Sequence, residues 1–210
     1  NAGTFTTADA STIVVTGAFL QNGAGASSIG GNLTGTTDLT FQQGITLTGA
    51  DAVVLATGGA DGQDIVLGTD NGDDIEGDDQ ALTLNAGAAG DITVNGDIGQ
   101  VADIGALTIT NATNVDFNET VSAASFTQSA GAGTTTFDKV FTIDTTNFAF
   151  TGQNLTVSAA GNTVAGSMTV TNAGTFTTAD ASTIVVTGAF LQNGAGASSI
   201  GGNLTGTTDL

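Results

Sequence analysis

Eight carboxylates crowd into one short stretch, Asp61, Asp64, Asp70, Asp73, Asp74, Glu76, Asp78 and Asp79, and they are the residues whose type and spacing could do chemistry. Acids at that density repel one another unless cations neutralise them. Ca²⁺ suits flexible loops that offer about six to eight oxygens, so all eight are candidate Ca²⁺ ligands. The string Gly59-Ala-Asp-Gly-Gln-Asp-Ile-Val-Leu67 approximates the Ca²⁺-binding nonapeptide G-G-x-G-x-D-x-U-x, with Ala60 in place of the second glycine. Its next copy sets Asn71-Gly-Asp-Asp-Ile75 against Asp61-Gly-Gln-Asp-Ile65, a return after ten residues where the motif needs nine. An EF-hand is not matched, since no D-x-[DN]-x-[DN]-G is followed by a Glu at the twelfth position. The other reading is a solvated acidic loop with loosely held counterions.

No other chemistry is on offer. The chain of 210 residues has no Cys, His, Trp, Tyr or Pro. Thiolate nucleophiles, imidazole bases, disulfides and zinc sites of the usual nitrogen and sulfur type are therefore excluded. Twenty acids against one base, Lys139, give a net charge of −19. That charge excludes a nucleic-acid binder, which must displace counterions from phosphate, and a binder of anionic membranes. Paired carboxylates can cleave glycosides, but with neither Arg nor an aromatic sugar platform an enzyme is not expected. No apolar run approaches the roughly 18 residues that cross a bilayer, so no membrane insertion is expected. Disorder is excluded by the other half of the composition: 40% hydrophobic residues, only 10% charged residues and a mean hydropathy of +0.23 supply material for a core.

The elements that must position the acids are written as repeats. Residues 1–39 recur without change as residues 172–210, an offset of 171. The chain is expected to be one continuous segment, 1–210, comprising one full unit, 1–171, and the start of the next, 172–210, from a longer tandem array. Within the unit a shorter motif sets Thr between two apolar residues, as in Leu39-Thr40-Phe41, Ile45-Thr46-Leu47, Leu82-Thr83-Leu84, Ile92-Thr93-Val94, Leu107-Thr108-Ile109, Phe141-Thr142-Ile143, Leu155-Thr156-Val157 and Met168-Thr169-Val170. Such alternation is the period of a half-buried strand, flanking residues inward and Thr outward. Gly and Asn between the motifs supply turns.

Comparable strands begin near residues 18, 39, 64, 81, 106, 125, 147, 167 and 189, steps of 17 to 25 residues. Short strands at such a period, with no helical pattern, predict an all-β fold, a parallel β-solenoid. The right-handed β-helix is expected because parallel crossovers default to that hand. About eight coils make one 171-residue unit. At a strand spacing of ~4.8 Å a unit advances the axis by roughly 38 Å. Phe5, Phe19, Phe41, Phe117, Phe126, Phe137, Phe141, Phe148 and Phe150 are expected to stack inside it. Each unit carries 18 acids and one Lys, about one net charge per 2.2 Å of rod at that spacing. Duplex DNA carries one per ~1.7 Å. The rod is therefore expected to behave as a polyanion that divalent cations draw together.

The segments Ala81–Gly96 (ALTLNAGAAGDITVNG), Ala106–Asn114 (ALTITNATN) and Ser125–Thr134 (SFTQSAGAGT) resemble the repeats of giant bacterial surface proteins of the filamentous-haemagglutinin and large repetitive adhesin type. The resemblance covers nearly the whole chain and rests on composition. It implies an extracellular or bacterial cell-surface location and a structural role, as the shaft of a filament, sheath or giant adhesin. The partners expected are copies of the chain itself, as tandem units or in end-to-end or lateral fibre contact, and divalent cations. A Ca²⁺-dependent or ice-binding adhesin module is the alternative. The pairs Thr4/Thr6, Thr46/Thr48, Thr108/Thr110, Thr134/Thr136 and Thr169/Thr171 suggest a flat hydroxyl array, although uneven coil lengths argue against strict alignment.

Overall fold

The computed structural model describes residues 3–58 and 62–208. Among them every regular element is a strand, and every strand pair is parallel. Short Thr-, Val-, Ile- and Phe-rich segments favour the pleated conformation. Pairing each segment with its counterpart one coil on satisfies its backbone groups. The result is the expected all-β parallel β-solenoid, of about nine turns.

Three strands make each turn, so the column has three faces. Face one stacks Phe5–Thr7, Ser27–Ile29, Ile45–Leu47 and Ile75–Glu76, then continues through the single bridging residue Ile98 to Val121, Phe141–Ile143, Asn162–Val164, Thr183–Val186 and Asn203–Gly206. Face two stacks Thr12–Val15, Asn32–Gly35, Val53–Ala56, Leu82–Asn85 and the part of Ile104–Asn111 from Leu107 on, followed by Phe126 to Gln128, Phe148–Gly152, Met168–Asn172 and Phe190–Gln192. Face three runs from Phe19–Gln21 through Leu39–Phe41, Ile65–Leu67, Ile92–Val94, Val115–Phe117, Thr134–Phe137, Asn154–Val157 and Thr175–Thr178 to Ala197–Ile200. The long strand Val121–Gln128 turns the corner between faces one and two and belongs to both.

The Thr-centred motifs lie on all three faces, with their apolar flanks buried and the Thr left at least partly exposed. Because the coils stack in register, like residues meet like residues inside. Phe137 lies on Phe117 with ring centroids 4.8 Å apart, and Phe148 on Phe126 at 4.7 Å. Both distances match the interstrand spacing of ~4.8 Å. Phe141 joins this cluster at 5.0 Å from Phe137. Phe41 and Phe150 are also buried, whereas Phe5 and Phe19, in the first coil, are only partly covered.

Coil length varies chiefly at the corners; within the ladders one extra residue enters where Leu84 pairs with Ile109 but Asn85 with Asn111. Val121 to Phe141 takes 20 residues, but Ile45 to Ile75 takes 30. The extra residues form the acidic loops, and the strands on either side keep their register. At the corners the backbones of successive coils close to contact, and this selects glycine. A Cβ on Gly90 would overlap the Gln63 carbonyl, and one on Gly202 would overlap that of Ser182.

The numbered strand starts follow face three from residue 18 to 64 and face two from 81 to 189. The short step of 17 between them crosses from one face to the other and covers two-thirds of a turn. Counted face by face, the unit of about eight coils is seven and two-thirds.

Candidate functional site

The acids sit on the three corners of one enlarged coil. Asp64 lies on the corner from face two to face three, Asp70, Asp73 and Asp74 on the corner from three to one, and Asp78 and Asp79 on the corner from one to two, just after Glu76 at the end of its strand. Asp61 lies outside the described residues. Among the described residues no three acidic side chains converge on a point where they could hold a metal ion together. The ladder holds the flanking strands on separate faces, and that keeps the corners apart.

Most of these carboxylates accept hydrogen bonds from the backbone. The Asp64 Oδ1 accepts from the Asp91 N–H at 2.9 Å, and the Asp74 Oδ1 from the Asp97 N–H at 3.2 Å. Asp73 is buried, and its Oδ2 accepts from the Thr69 N–H at 2.7 Å, the Thr69 hydroxyl at 2.8 Å and the Asp70 N–H at 3.3 Å. Asp70 Oδ1 takes the Gly72 N–H at 2.9 Å. The Glu76 carboxylate receives the N–H groups of Val101 and Ala102, the latter at 2.7 Å. Asp78 donates its own N–H to Gln80 Oε1 at 2.9 Å, and Asp79 adopts φ +63° to turn the corner. The side chains most open to solvent are those of Asp70, Asp78 and Asp79.

These bonds belong to a longer arrangement that the stretch from 61 to 79 does not reveal. Just ahead of face three, one column of side chains runs Asp38, Asp64, Asp91, Asn114. Each accepts the backbone N–H of the residue one coil on, from Asp64 to Asp38 at 3.0 Å, from Asn114 to Asp91 at 2.9 Å and from Thr134 to Asn114 at 3.0 Å. Farther along, Asn154 accepts the Thr175 N–H at 2.8 Å. A second column starts at Asp74 and continues with Asp97, whose Oδ1 accepts from the Thr120 N–H at 2.9 Å and from the Thr120 hydroxyl. Where the chain turns between faces its N–H leaves the sheet ladder, and a short carboxylate or amide from the preceding coil satisfies it. The sequence carries a signal for the first column: an Asp or Asn directly before the inward residue of a face-three strand, as in Asp38-Leu39, Asp91-Ile92 and Asn154-Leu155.

One acid stands on the outer surface of face three itself. Burial pushes the Asp116 carboxyl above the usual carboxylate range, and the nearby charges of Asp138 and Asp91 push the same way, against a hydrogen bond from Thr136 that favours the anion. A carboxyl whose pKa is raised on folding binds its proton more tightly in the native state. Its contribution to stability therefore falls as pH climbs from the unfolded value through the folded one. Asp116→Asn is expected to raise the urea midpoint at pH 7 and to leave it unchanged near about pH 3, where both chains carry a neutral group. A variant less stable at pH 7 would show that the anion is favoured.

The hydroxyls are also ordered. The outward positions along face three read Leu20, Thr40, Val66, Thr93, Asp116, Thr136, Thr156, Thr177 and Ser199, each in register with the next. The T-x-T pairs, by contrast, are spread over three faces: Thr46/Thr48 follow face one, Thr108/Thr110 and Thr169/Thr171 face two, and Thr134/Thr136 face three. The column thus arises from the central Thr of the strand motif. Uneven coil lengths do not disturb it, because corner loops absorb them.

Comparison with protein-family models, with curated proteins and with solved structures finds no match for this chain.

Proposed function

We propose that this chain is a length of shaft: part of an extracellular filament, sheath or giant adhesin on a bacterial surface, built of tandem 171-residue units and drawn into bundles by divalent cations. The observation that carries the reading is the junction between units. The second copy begins at Asn172, inside the strand Met168–Asn172, and the coils continue through it with no linker or break in register. A chain whose repeats join within a strand extends without hinges and transmits tension through every backbone ladder. The likeness of its repeats to those of surface adhesins supports the same location and role, with copies of itself as the partners.

Cations enter through the charge. With about one net charge per 2.2 Å of axis at the strand spacing, neighbouring shafts repel in dilute salt. Asp70, Asp73 and Asp74 on one corner, Glu76, Asp78 and Asp79 at the next and Asp64 on the third make the enlarged coil the densest place for Ca²⁺ or Mg²⁺ to bridge two shafts. Millimolar Ca²⁺ is expected to raise the light scattering of the purified protein, and chelator to reverse it. Equal scattering with and without chelator would refute cation bundling.

The hydroxyl column of face three favours one second reading, an ice-binding module of an adhesin. Its spacing along the axis is regular, but Leu20 heads it and Val66 and Asp116 interrupt it. Thermal hysteresis in a freezing assay would support this reading over the plain shaft.

A further inference from the structure

The identical copies do not occupy equivalent places on the column. Phe5–Thr7 lies on face one, yet its repeat Thr175–Thr178 lies on face three. Thr12–Val15 pairs along face two, whereas Thr183–Val186 pairs along face one. Phe19–Gln21 pairs with Leu39–Phe41 on face three, but Phe190–Gln192 pairs with Met168–Val170 on face two. Every repeated strand has shifted by one face in the same sense.

The local structure survives this shift. The Thr7 hydroxyl accepts the N–H of Gly30 at 2.9 Å and of Gly31 at 3.2 Å, and Thr178 accepts from Gly201 at 3.2 Å and Gly202 at 3.3 Å. The Ser11 carbonyl accepts from the Asn32 N–H at 2.7 Å, and the Ser182 carbonyl from Asn203 at 2.9 Å. Gln21 and Gln192 each turn an amide onto the carbonyl of the matching glycine, Gly25 or Gly196. The three faces are therefore interchangeable as far as these residues are concerned. What fixes a segment's face is the number of strands before it.

We infer that successive 171-residue units are each turned by one face about the axis, so that the shaft is a threefold screw and shows any one surface in three directions. This rests on the shaft reading and deepens it. A unit contains 23 face positions, counting Val121–Gln128 as two and Ile98 as one. Twenty-three is one short of eight full turns, so three units pass before a face recurs. At ~4.8 Å per coil a unit rises about 37 Å and the identity period is about 110 Å. The enlarged acidic coil returns once per unit, each time a third of a turn away. The surface thus fits second copies of the same chain on three sides, and shafts that bundle do so in three dimensions, with no one-sided ribbon.

The test is helical reconstruction by cryo-electron microscopy of a chain extended to six or more tandem units. An axial identity period of three units, about 110 Å, with a third of a turn between units, is the expected result. A period of a single unit, with every enlarged coil in one direction, would overturn the rotation while leaving the shaft intact. The absence of any regular column would overturn both. A companion chain in which each unit carries a second copy of residues 154–161, one extra strand and corner, has 24 face positions. Its period is expected to fall to one unit, about 38 Å, and persistence of the threefold period there would also overturn the inference.

Discussion

Phe137→Ala is expected to cost about 3 to 5 kcal/mol, the range for deleting a fully packed aromatic from a core. Phe137 is 1% exposed, and its ring meets four others: Phe117 at 4.8 Å, Phe141 at 5.0 Å, Phe126 at 5.4 Å and Phe148 at 5.8 Å. These rings come from all three faces, so the cavity would open at the point where the faces are sewn together. The surrounding strands are locked in their ladders on both sides and cannot collapse into the space. Urea unfolding followed by circular dichroism gives the loss directly. Phe5→Ala is the control, since Phe5 is only partly covered and meets one ring, Phe19 at 5.2 Å. A loss at Phe137 under about 1 kcal/mol, or one no larger than at Phe5, would contradict the packing described.

The second large effect is expected from a change of one atom. Asn162 is fully buried, and its amide joins three coils: Oδ1 accepts the Phe141 N–H at 2.9 Å, and Nδ2 donates to the carbonyls of Ala159 at 2.6 Å and Thr183 at 3.0 Å. Asn162→Asp keeps the acceptor but turns the donor into a second oxygen, facing the carbonyls of Ala159 and Thr183. An uncompensated buried charge costs about 3 to 5 kcal/mol, and leaving two carbonyls unpaired adds to it. Asn162→Asp is therefore expected to unfold at a much lower urea concentration than the parent at pH 7. Parity within about 0.5 kcal/mol, the scatter of ordinary surface changes, would show that the amide carries no such role.

What the sequence made legible follows from which residues face inward. Leu82-Thr83-Leu84 or Phe141-Thr142-Ile143 announces a strand because burial of alternate side chains is a local property, visible three residues at a time. The parallel stacking followed from the spacing of such motifs. The threefold cross-section did not, because one Thr-centred motif serves all three faces and nothing in Leu39-Thr40-Phe41 says that it belongs to a different face from Ile45-Thr46-Leu47. The step of 17 residues in the strand spacing held the clue: too short for a coil, it marked a passage between faces.

The acidic stretch was legible as a loop that widens one coil, and less so as a site. Neighbours in sequence such as Asp70 and Asp78 are carried to different corners by the strand Ile75–Glu76 between them. Acids far apart in sequence, Asp38, Asp64 and Asp91, are brought into one column by stacking. Proximity along the chain and proximity in space are nearly independent in a solenoid, where the nearest neighbour of a residue is about one coil away.

Diffraction from aligned fibres of the protein tests most directly whether backbone turns pile into a column along the fibre axis. Strands lying across that axis predict a sharp meridional reflection at ~4.8 Å and an equatorial pattern set by the lateral packing of narrow columns. A ~4.8 Å reflection on the equator, from strands running along the fibre, or no oriented reflection at that spacing, would contradict the account.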